Sequence, residues 1–281
     1  MGNNLILKRF FTKSMLHNLL SDQEPETFQY IVRRYVRDPE GKPYEQLISE
    51  IYSYIGKQYR TEYYYKNTML NKLLLKKHNY KKTVVLTELP VADSKADFVM
   101  INGRGVVYEI KTELDNLDRL ASQVSDYYKA FTEVAVVTYE ENIEKVLETV
   151  SSTVGILKLT KRNALRTVRE AQHIDTQLDY YTIFKILRKY EFENILESQG
   201  YTLPEVSQFV YYKECFRLVQ EIELKDLQML MLKELKKRMR IELVDLCVKS
   251  PETLRFLTYF DDGILNHREA FETMLNKVYG G

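Results

Sequence analysis

A short hairpin pattern constrains the fold of this chain more than any other feature of its sequence. The stretch 96–111 reads Ala-Asp-Phe-Val-Met-Ile-Asn-Gly-Arg-Gly-Val-Val-Tyr-Glu-Ile-Lys. Asn102-Gly103 is a favoured pair for a tight turn with positive φ, and both flanking runs are rich in β-branched and aromatic residues. The pattern predicts two antiparallel strands joined at this turn.

The predicted hairpin gathers charged side chains on one face. Side chains alternate along a strand, so Glu109 and Lys111 point the same way, and pairing across the turn brings Asp97 near them. Carboxylates are the ligands that Mg²⁺ prefers, and a lysine next to a metal-bound water can orient it or stabilise a phosphorane-like transition state. The layout suits a divalent-metal phosphodiesterase, although Glu-x-Lys alone recurs by chance in charged proteins.

Neighbouring segments add context to this short motif. Glu88 follows a predicted strand over 83–87 and offers a third acid. Asp115 or Asn116 can cap a helix whose apolar stripe packs on the sheet; the stripe consists of Leu117, Leu120, Val124, Tyr128 and Phe131. Three polar residues on the flank of that helix are placed to contact either DNA or the catalytic shell: Arg119, Gln123 and Tyr127.

On these residues, the stretch of about 82–138 resembles the catalytic core of the PD-(D/E)XK nuclease superfamily. An acid opens one strand at Asp97, and Glu109-Ile-Lys111 follows on the next. Gln123-x-x-x-Tyr127 resembles an element of the RecB-like branches of the superfamily. The proline of the superfamily name is missing here.

The match is closer to one poorly characterised bacterial and phage branch, through Tyr108-Glu-Ile-Lys-Thr followed by Leu114-Asp-Asn-Leu-Asp-Arg-Leu. Lys95 and Thr112 stand where that branch often has Arg and Ser. The resemblance implies a restriction-endonuclease-like mixed sheet, with Mg²⁺ or Mn²⁺ as cofactor. It implies Glu88, Asp97, Glu109 and Ile110 as metal positions, and Glu88, Asp97, Glu109, Lys111 and Gln123 as catalytic positions.

Glu62 is an alternative third acid, because many members of the superfamily draw one from the helix before the first strand. It falls in the first turn of a helix predicted over 61–78, where the helix dipole favours an acid whatever its function. Glu88 therefore ranks above Glu62.

The charge is unevenly distributed, although the 281-residue chain carries a net charge of only +1. Residues 91–150 hold 6 basic and 12 acidic side chains, which suits a cation site. Residues 63–87 hold six lysines, four tyrosines (63, 64, 65 and 80) and no acid. This segment is either a phosphate-tracking surface or a solvated helix face with a lysine-rich loop. The positions predicted to bind nucleic acid are Lys76, Lys77, Lys81, Lys82, Lys95, Arg119 and Tyr127.

Other classes of function lack their sequence signals. The four histidines are scattered, no phosphate-binding glycine loop or nucleophile elbow occurs, and no run of 18 apolar residues is present. Nothing resembles a signal peptide, and the two cysteines, Cys215 and Cys247, lack metal-ligand spacing. These features predict a cytoplasmic protein with buried thiols.

The coarse pattern predicts an α/β protein in three regions: N-terminal helices (1–60), a nuclease core (61–159) and a helical region (160–281). Strands are predicted over 83–87, 133–139 and 154–159 in addition to the hairpin. Helices are predicted over 5–20, 24–36, 44–58, 61–78 and 140–150, and one long amphipathic helix over 221–246.

Taken together, these patterns predict a Mg²⁺- or Mn²⁺-dependent DNA endonuclease; related domains occur in phage defence and mobile elements. The alternative is a catalytically idle module on the same fold that binds nucleic acid or another protein. The sequence leaves open whether the active form is a homodimer or needs a partner protein.

Overall fold

The structure is a computed structural model that describes residues 4–280. Its α-helices are α1 (Lys13–Leu20), α2 (Glu26–Tyr35), α3 (Tyr44–Gln58), α4 (Glu62–Met69), α5 (Leu120–Tyr128), α6 (Ile143–Thr149), α7 (Tyr180–Ile186), α8 (Lys189–Ser198), α9 (Gln208–Val219), α10 (Leu224–Lys236), α11 (Ile241–Lys249), α12 (Arg255–Phe260) and α13 (Arg268–Asn276). A π-helical segment, Leu70–Lys77, continues α4, and 3-10 turns cover Asn4–Arg9, Glu140–Asn142 and Asp262–His267.

The strands are β1 (Val84–Leu86), β2 (Leu89–Val91), β3 (Ser94–Ala96), β4 (Phe98–Asn102), β5 (Arg104–Ile110), β6 (Glu133–Tyr139), β7 (Gly155–Leu159) and β8 (Leu165–Arg169). Six of them form one sheet in the order β1-β4-β5-β6-β7-β8, and β2 and β3 form a separate hairpin. β5, β6 and β7 run parallel, whereas the other neighbours are antiparallel. The fold is therefore mixed α/β, with a mixed sheet flanked by helices.

The chain divides into two compact units. The helical unit comprises Met1–Lys81, Lys161–Asn163 and Arg240–Gly281, and the sheet unit comprises Lys82–Thr160 and Ala164–Met239. The predicted division at residues 60 and 159 does not follow these units. The chain end joins the N-terminal helices because its backbone pairs with theirs: Tyr44 N donates to Lys277 O at 2.9 Å, and Gly41 N donates to Tyr279 O at 3.0 Å.

The predicted hairpin is confirmed. β4 and β5 pair from Phe98↔Tyr108 to Asn102↔Arg104, and Gly103 takes the positive φ of +76° at the turn. The strand over Glu133–Tyr139 and the helix over Tyr44–Gln58 are also confirmed at their predicted bounds. β6 is apolar and buried along most of its length, as expected of a central parallel strand covered on both faces.

Two predictions for the C-terminal region are wrong. The region after Thr160 is not wholly helical, because β8 pairs with β7 as an edge strand whose middle residues are exposed. The long helix over 221–246 is two helices, since α10 ends at Lys236 and Arg240 has an extended backbone before α11. Among residues 4–280, no helix has the length and apolarity needed to cross a bilayer.

Gly155, the first residue of β7, lies where a side chain has no room. A Cβ there would lie 2.8 Å from the backbone nitrogen of Ala171 and 3.1 Å from the Cβ of Ala135. We expect Gly155→Ala to lower the free energy of unfolding by about 1–3 kcal/mol, because backbone must move to relieve the overlap. Urea denaturation measures this loss. Gly103→Asn is the control, since nothing lies within 4 Å of a Cβ there and Asn tolerates its positive φ; equal losses in both variants would contradict the packing argument.

Candidate metal and phosphodiester site

Asp97 lies at the bend between β3 and β4, directly before β4 enters the six-stranded sheet. Its Oδ2 accepts a hydrogen bond from the backbone nitrogen of Ile110 at 2.8 Å. The N–H and C=O of one residue in an extended strand face the same side, so the Ile110 carbonyl is directed toward the Asp97 side of β5. Asp97 and the end of β5 thus meet, as the hairpin pattern predicts.

Glu109 and Lys111 share one face at the end of β5, and both are buried. Lys111 Nζ donates to Glu109 Oε1 at 2.9 Å. The backbone nitrogen of Lys111 donates to Val137 O at 2.9 Å, which extends the parallel pairing with β6 past the last residue of β5. The pair is therefore held by the sheet rather than by a loop.

Helix α5 covers this pair with two side chains one turn apart. Gln123 Oε1 accepts a hydrogen bond from Lys111 Nζ at 2.9 Å, and the Tyr127 hydroxyl donates to Glu109 Oε2 at 2.5 Å. Burial raises the pKa of Tyr127, and the nearby Glu109 carboxylate raises it further. Tyr127 therefore remains a protonated donor to Glu109.

The burial of Tyr127 bears on its two predicted roles. Its exposed fraction is 0%, so its side chain lies inside the sheet unit against Glu109 and is not on a surface open to DNA. The predicted capping of α5 by Asp115 or Asn116 is wrong, because α5 begins at Leu120 with Arg119 as its cap residue. Asp115 instead accepts from the backbone nitrogen and the hydroxyl of Thr112 at 2.8 and 2.7 Å, which closes the turn after β5.

Glu88 approaches Asp97 because the β2–β3 hairpin folds back on itself. Leu89 pairs with Ala96, so the residues flanking this pair are neighbours, and their carboxylate oxygens lie within 4.8 Å of each other. Glu88 has a φ of +54°, and its side chain is half exposed. Lys95 Nζ lies 3.5 Å from Glu88 Oε2 in an exposed pair.

The carboxylate oxygens gathered here are the donors that a hard divalent cation prefers. The carboxylate oxygens of Glu88 and Asp97 lie close enough together that both residues could hold one such ion. Both oxygens of Glu109 already accept hydrogen bonds, from Lys111 and Tyr127. Each oxygen of a carboxylate has two lone pairs, so Glu109 keeps acceptor capacity for a cation beside these two bonds.

Glu62 belongs to the helical unit, in the first turn of α4. It forms an ion pair with Lys66 at 2.5 Å, one helical turn further on. Lys66 is buried, so within this unit Glu62 offsets the charge of a buried lysine.

The predicted basic positions are at the surface. Lys76, Lys77, Lys81, Lys82, Lys95 and Arg119 are all exposed. The tyrosines among the lysines differ from this pattern, since Tyr64 and Tyr65 belong to the core of the helical unit. Their rings are unavailable as a stacking surface.

Sequence reasoning missed Ser94 and Asp126, two buried polar residues beside the site. Ser94 Oγ donates to Asp126 Oδ2 at 2.7 Å, and Lys129 Nζ donates to Asp126 Oδ1 at 2.8 Å.

The β2–β3 hairpin is a second feature that the sequence analysis does not predict, since Pro90 weakens a strand pattern. The alternation of Leu89, Val91 and Ala96 around a short Ala-Asp turn was the available signal.

The sequence profile of one protein family, bacteriophage P4 protein cII, matches residues 56–249. Protein cII of enterobacteria phage P4 is 27% identical to this chain over 133 residues, which are 46% of this chain. This chain spans about half (50%) of the length of that relative. A solved structure, the SPO1766 protein of unknown function from Silicibacter pomeroyi, aligns with a TM-score of 0.30 and 14% identity over 43% of this chain and 80% of its own.

The family match takes in well over half of the chain, and it includes every candidate site residue from Glu88 to Tyr127. The chain therefore belongs to the bacteriophage P4 cII protein family.

Proposed function

We propose that this protein is a Mg²⁺- or Mn²⁺-dependent nuclease that hydrolyses phosphodiester bonds of DNA on a restriction-endonuclease-like core. One observation carries the proposal. A continuous set of hydrogen bonds lies at the carboxyl end of β5, where Asp97 bonds Ile110. It links Glu109, Lys111, Gln123 and Tyr127. These are the positions through which the sequence resembles the PD-(D/E)XK nucleases.

Each residue has a distinct part in the proposed reaction. Glu88 and Asp97 would hold the cation, with the Ile110 carbonyl and Glu109 as its further protein ligands. When bound, the cation would supply a water of lowered pKa and offset charge on the scissile phosphate. Lys111 places a compact positive charge beside the developing negative charge of the transition state.

Two residues of α5 position this machinery. Gln123 accepts from Lys111 Nζ and so orients the ammonium group, while Tyr127 holds the Glu109 carboxylate. Positioning of this kind lowers the barrier because the charged groups need not reorganise during the reaction.

A cleavage assay tests the proposal. We expect the purified chain to cut at least one of linear duplex, nicked, single-stranded or branched DNA in Mg²⁺ or Mn²⁺, and EDTA to stop the reaction. RNA of matched sequence tests the choice of nucleic acid. Absence of cleavage on every substrate with both metals would overturn the proposal.

The second candidate is a module of the same fold that binds nucleic acid or protein without catalysis. The observation that favours it is that both oxygens of Glu109 accept hydrogen bonds, from Lys111 and Tyr127, so that the buried carboxylate is satisfied without a metal. Calorimetric titration with Mn²⁺ separates the two. Metal binding that is lost in Asp97→Asn supports the nuclease, and binding of DNA without any heat from Mn²⁺ supports the module.

The biological setting follows from the family alone. Its named member is a phage protein, which supports a role in a mobile element over a role in defence against phage. In a mobile element that carries this gene, deleting the gene and measuring the propagation of the element tests this role.

Lys76 and Lys77 are proposed to contact the phosphate backbone. They lie at the end of the π-helical segment and are exposed. We expect the double variant Lys76→Glu/Lys77→Glu to weaken DNA binding and to reduce the slope of log affinity against log salt by about 2, since each phosphate contact contributes roughly 0.9.

Fluorescence anisotropy at several salt concentrations measures both quantities. Lys57→Glu/Lys233→Glu is the matched control, because both lysines are exposed and the change of charge is the same. A salt slope equal to that of the wild-type protein would remove Lys76 and Lys77 from the binding surface.

A further inference from the structure

The β2–β3 hairpin sets the spacing between Glu88 and Asp97. Glu88 precedes its first residue, and Asp97 follows its last. The hairpin has only three paired positions and a two-residue turn, in which Ala92 has a φ of +51°. Hairpins of two strands are marginally stable by themselves, and a left-handed alanine costs further energy. The geometry of the two acids therefore depends on what holds the hairpin in place.

Apolar packing fixes one face of the hairpin. Leu89, Val91 and Ala96 are buried in the core of the sheet unit, whereas Pro90 and Lys95 point outward. Ser94 pairs with Val91 and is 8% exposed, so a hydroxyl lies among apolar side chains on the inner face. A buried hydroxyl needs a hydrogen-bond partner, and its partner determines where the strand can lie.

That partner is Asp126 of α5. Its side chain is 11% exposed, and the carboxylate accepts from Ser94 Oγ through one oxygen and from Lys129 Nζ through the other. The next residue on the helix, Tyr127, has its hydroxyl 3.0 Å from the backbone oxygen of Lys95. Asp126 thus attaches Ser94 of β3 to α5 by a hydrogen bond, and Tyr127, whose proton goes to Glu109, lies beside the next residue of β3, directly before Asp97.

We infer that Asp126 is a positioning residue that holds Glu88 and Asp97 at the separation needed to share one divalent cation. It acts through Ser94 and the β2–β3 hairpin and touches neither the metal nor the substrate. The inference rests on the proposed function, and it adds a residue outside the motif by which the site resembles known nucleases. Residues that orient metal ligands typically change metal affinity by about 10-fold to 100-fold when they are replaced.

The test is Mn²⁺ binding to the full chain, measured by calorimetry and by the electron paramagnetic resonance signal of free Mn²⁺. We expect Asp126→Ala and Ser94→Ala each to raise the Kd for Mn²⁺ by about 10-fold or more. In Mn²⁺ titrations of cleavage, the metal concentration for half-maximal rate rises while the rate at saturating metal stays near that of the wild type. Glu148→Gln, which removes an exposed acid from α6, is the control for loss of one negative charge.

A merely structural role predicts a different result. If Asp126 only stabilises the fold, the variants unfold at lower temperature but bind Mn²⁺ with wild-type affinity at a temperature where they are fully folded by circular dichroism. That result would overturn the inference. Ser94→Thr keeps the hydroxyl and is expected to restore most of the affinity lost in Ser94→Ala, so this pair keeps the test valid even if Asp126→Ala does not fold.

The outcome also separates this inference from the proposed function. If the wild-type protein binds no Mn²⁺, the nuclease proposal and the inference both fall. If Asp97→Asn loses Mn²⁺ while Asp126→Ala and Ser94→Ala keep it, the cation site stands and the positioning role of Asp126 does not.

Discussion

Asp97→Asn is expected to reduce metal-dependent cleavage by about 100-fold to 1,000-fold, the range seen when one electrostatic stabiliser of a transition state is removed. The variant loses the anionic ligand that a hard cation prefers. It keeps a carbonyl oxygen that can accept from the backbone nitrogen of Ile110, as Oδ2 of Asp97 does at 2.8 Å. The substitution therefore removes charge while preserving the junction of β4 and β5.

Initial rates of cleavage at saturating DNA, together with thermal unfolding, measure this effect. Glu148→Gln makes the same change of charge at an exposed position of α6 and should keep the wild-type rate. Lys111→Met tests the same site through a second residue. It retains much of the volume of the side chain but removes the ammonium donor to Glu109, which then keeps its bond from Tyr127. Wild-type cleavage by Asp97→Asn with an unchanged metal requirement would show that the cation binds elsewhere.

Arg238→Met is expected to cost about 3–5 kcal/mol of stability, the range for removal of one partner from a buried ion pair. Arg238 and Glu191 are both buried along their side chains, and Nη2 and Nε of the arginine bond the two carboxylate oxygens at 2.6 and 2.7 Å. Glu191 also accepts from the backbone nitrogen of Arg188 at 2.7 Å. Without Arg238, a carboxylate remains in the core with too few partners.

Urea denaturation of matched variants checks this expectation. Arg217→Met is the control, because Arg217 forms only exposed pairs with Glu214 and Glu221. Pairs of that kind contribute about 0–1 kcal/mol. Similar losses in the two variants would contradict the argument that burial decides the cost.

The cost of Arg238→Met should depend on pH. Burial acts to raise the pKa of Glu191, but the Arg238 guanidinium and the Arg188 backbone outweigh it, so the pKa is lowered overall. A carboxylate with a lowered pKa stabilises the fold above its unfolded pKa, near 4.3, and loses that contribution as the pH falls through the folded value. The difference in stability between wild type and variant should therefore shrink as the pH falls and Glu191 becomes protonated, first in the variant, which lacks the guanidinium, and then in the wild type. A constant difference from pH 7 to pH 3 would exclude the ion pair as its source.

Local sequence determined the hairpin and the charged face that it carries. Asn102-Gly103 specifies the turn, and strand alternation places Glu109 and Lys111 together, so neither depends on distant parts of the chain. β6 was predictable for the same reason, because a continuous apolar run of this length indicates a buried strand.

Tertiary structure alone decided the features that depend on residues far apart in sequence. Arg238 pairs with Glu191 across 47 positions, and Ser94 with Asp126 across 32, and no periodicity indicates either bond. The burial of Tyr127 against Glu109 likewise depends on a contact between residues 18 positions apart. β8 is a strand because β7 offers it a partner. Local patterns specify the backbone conformation and the face of a strand or helix on which each side chain lies. Burial of a side chain and its long-range ion pairs and hydrogen bonds follow from contacts that form only when the chain has folded.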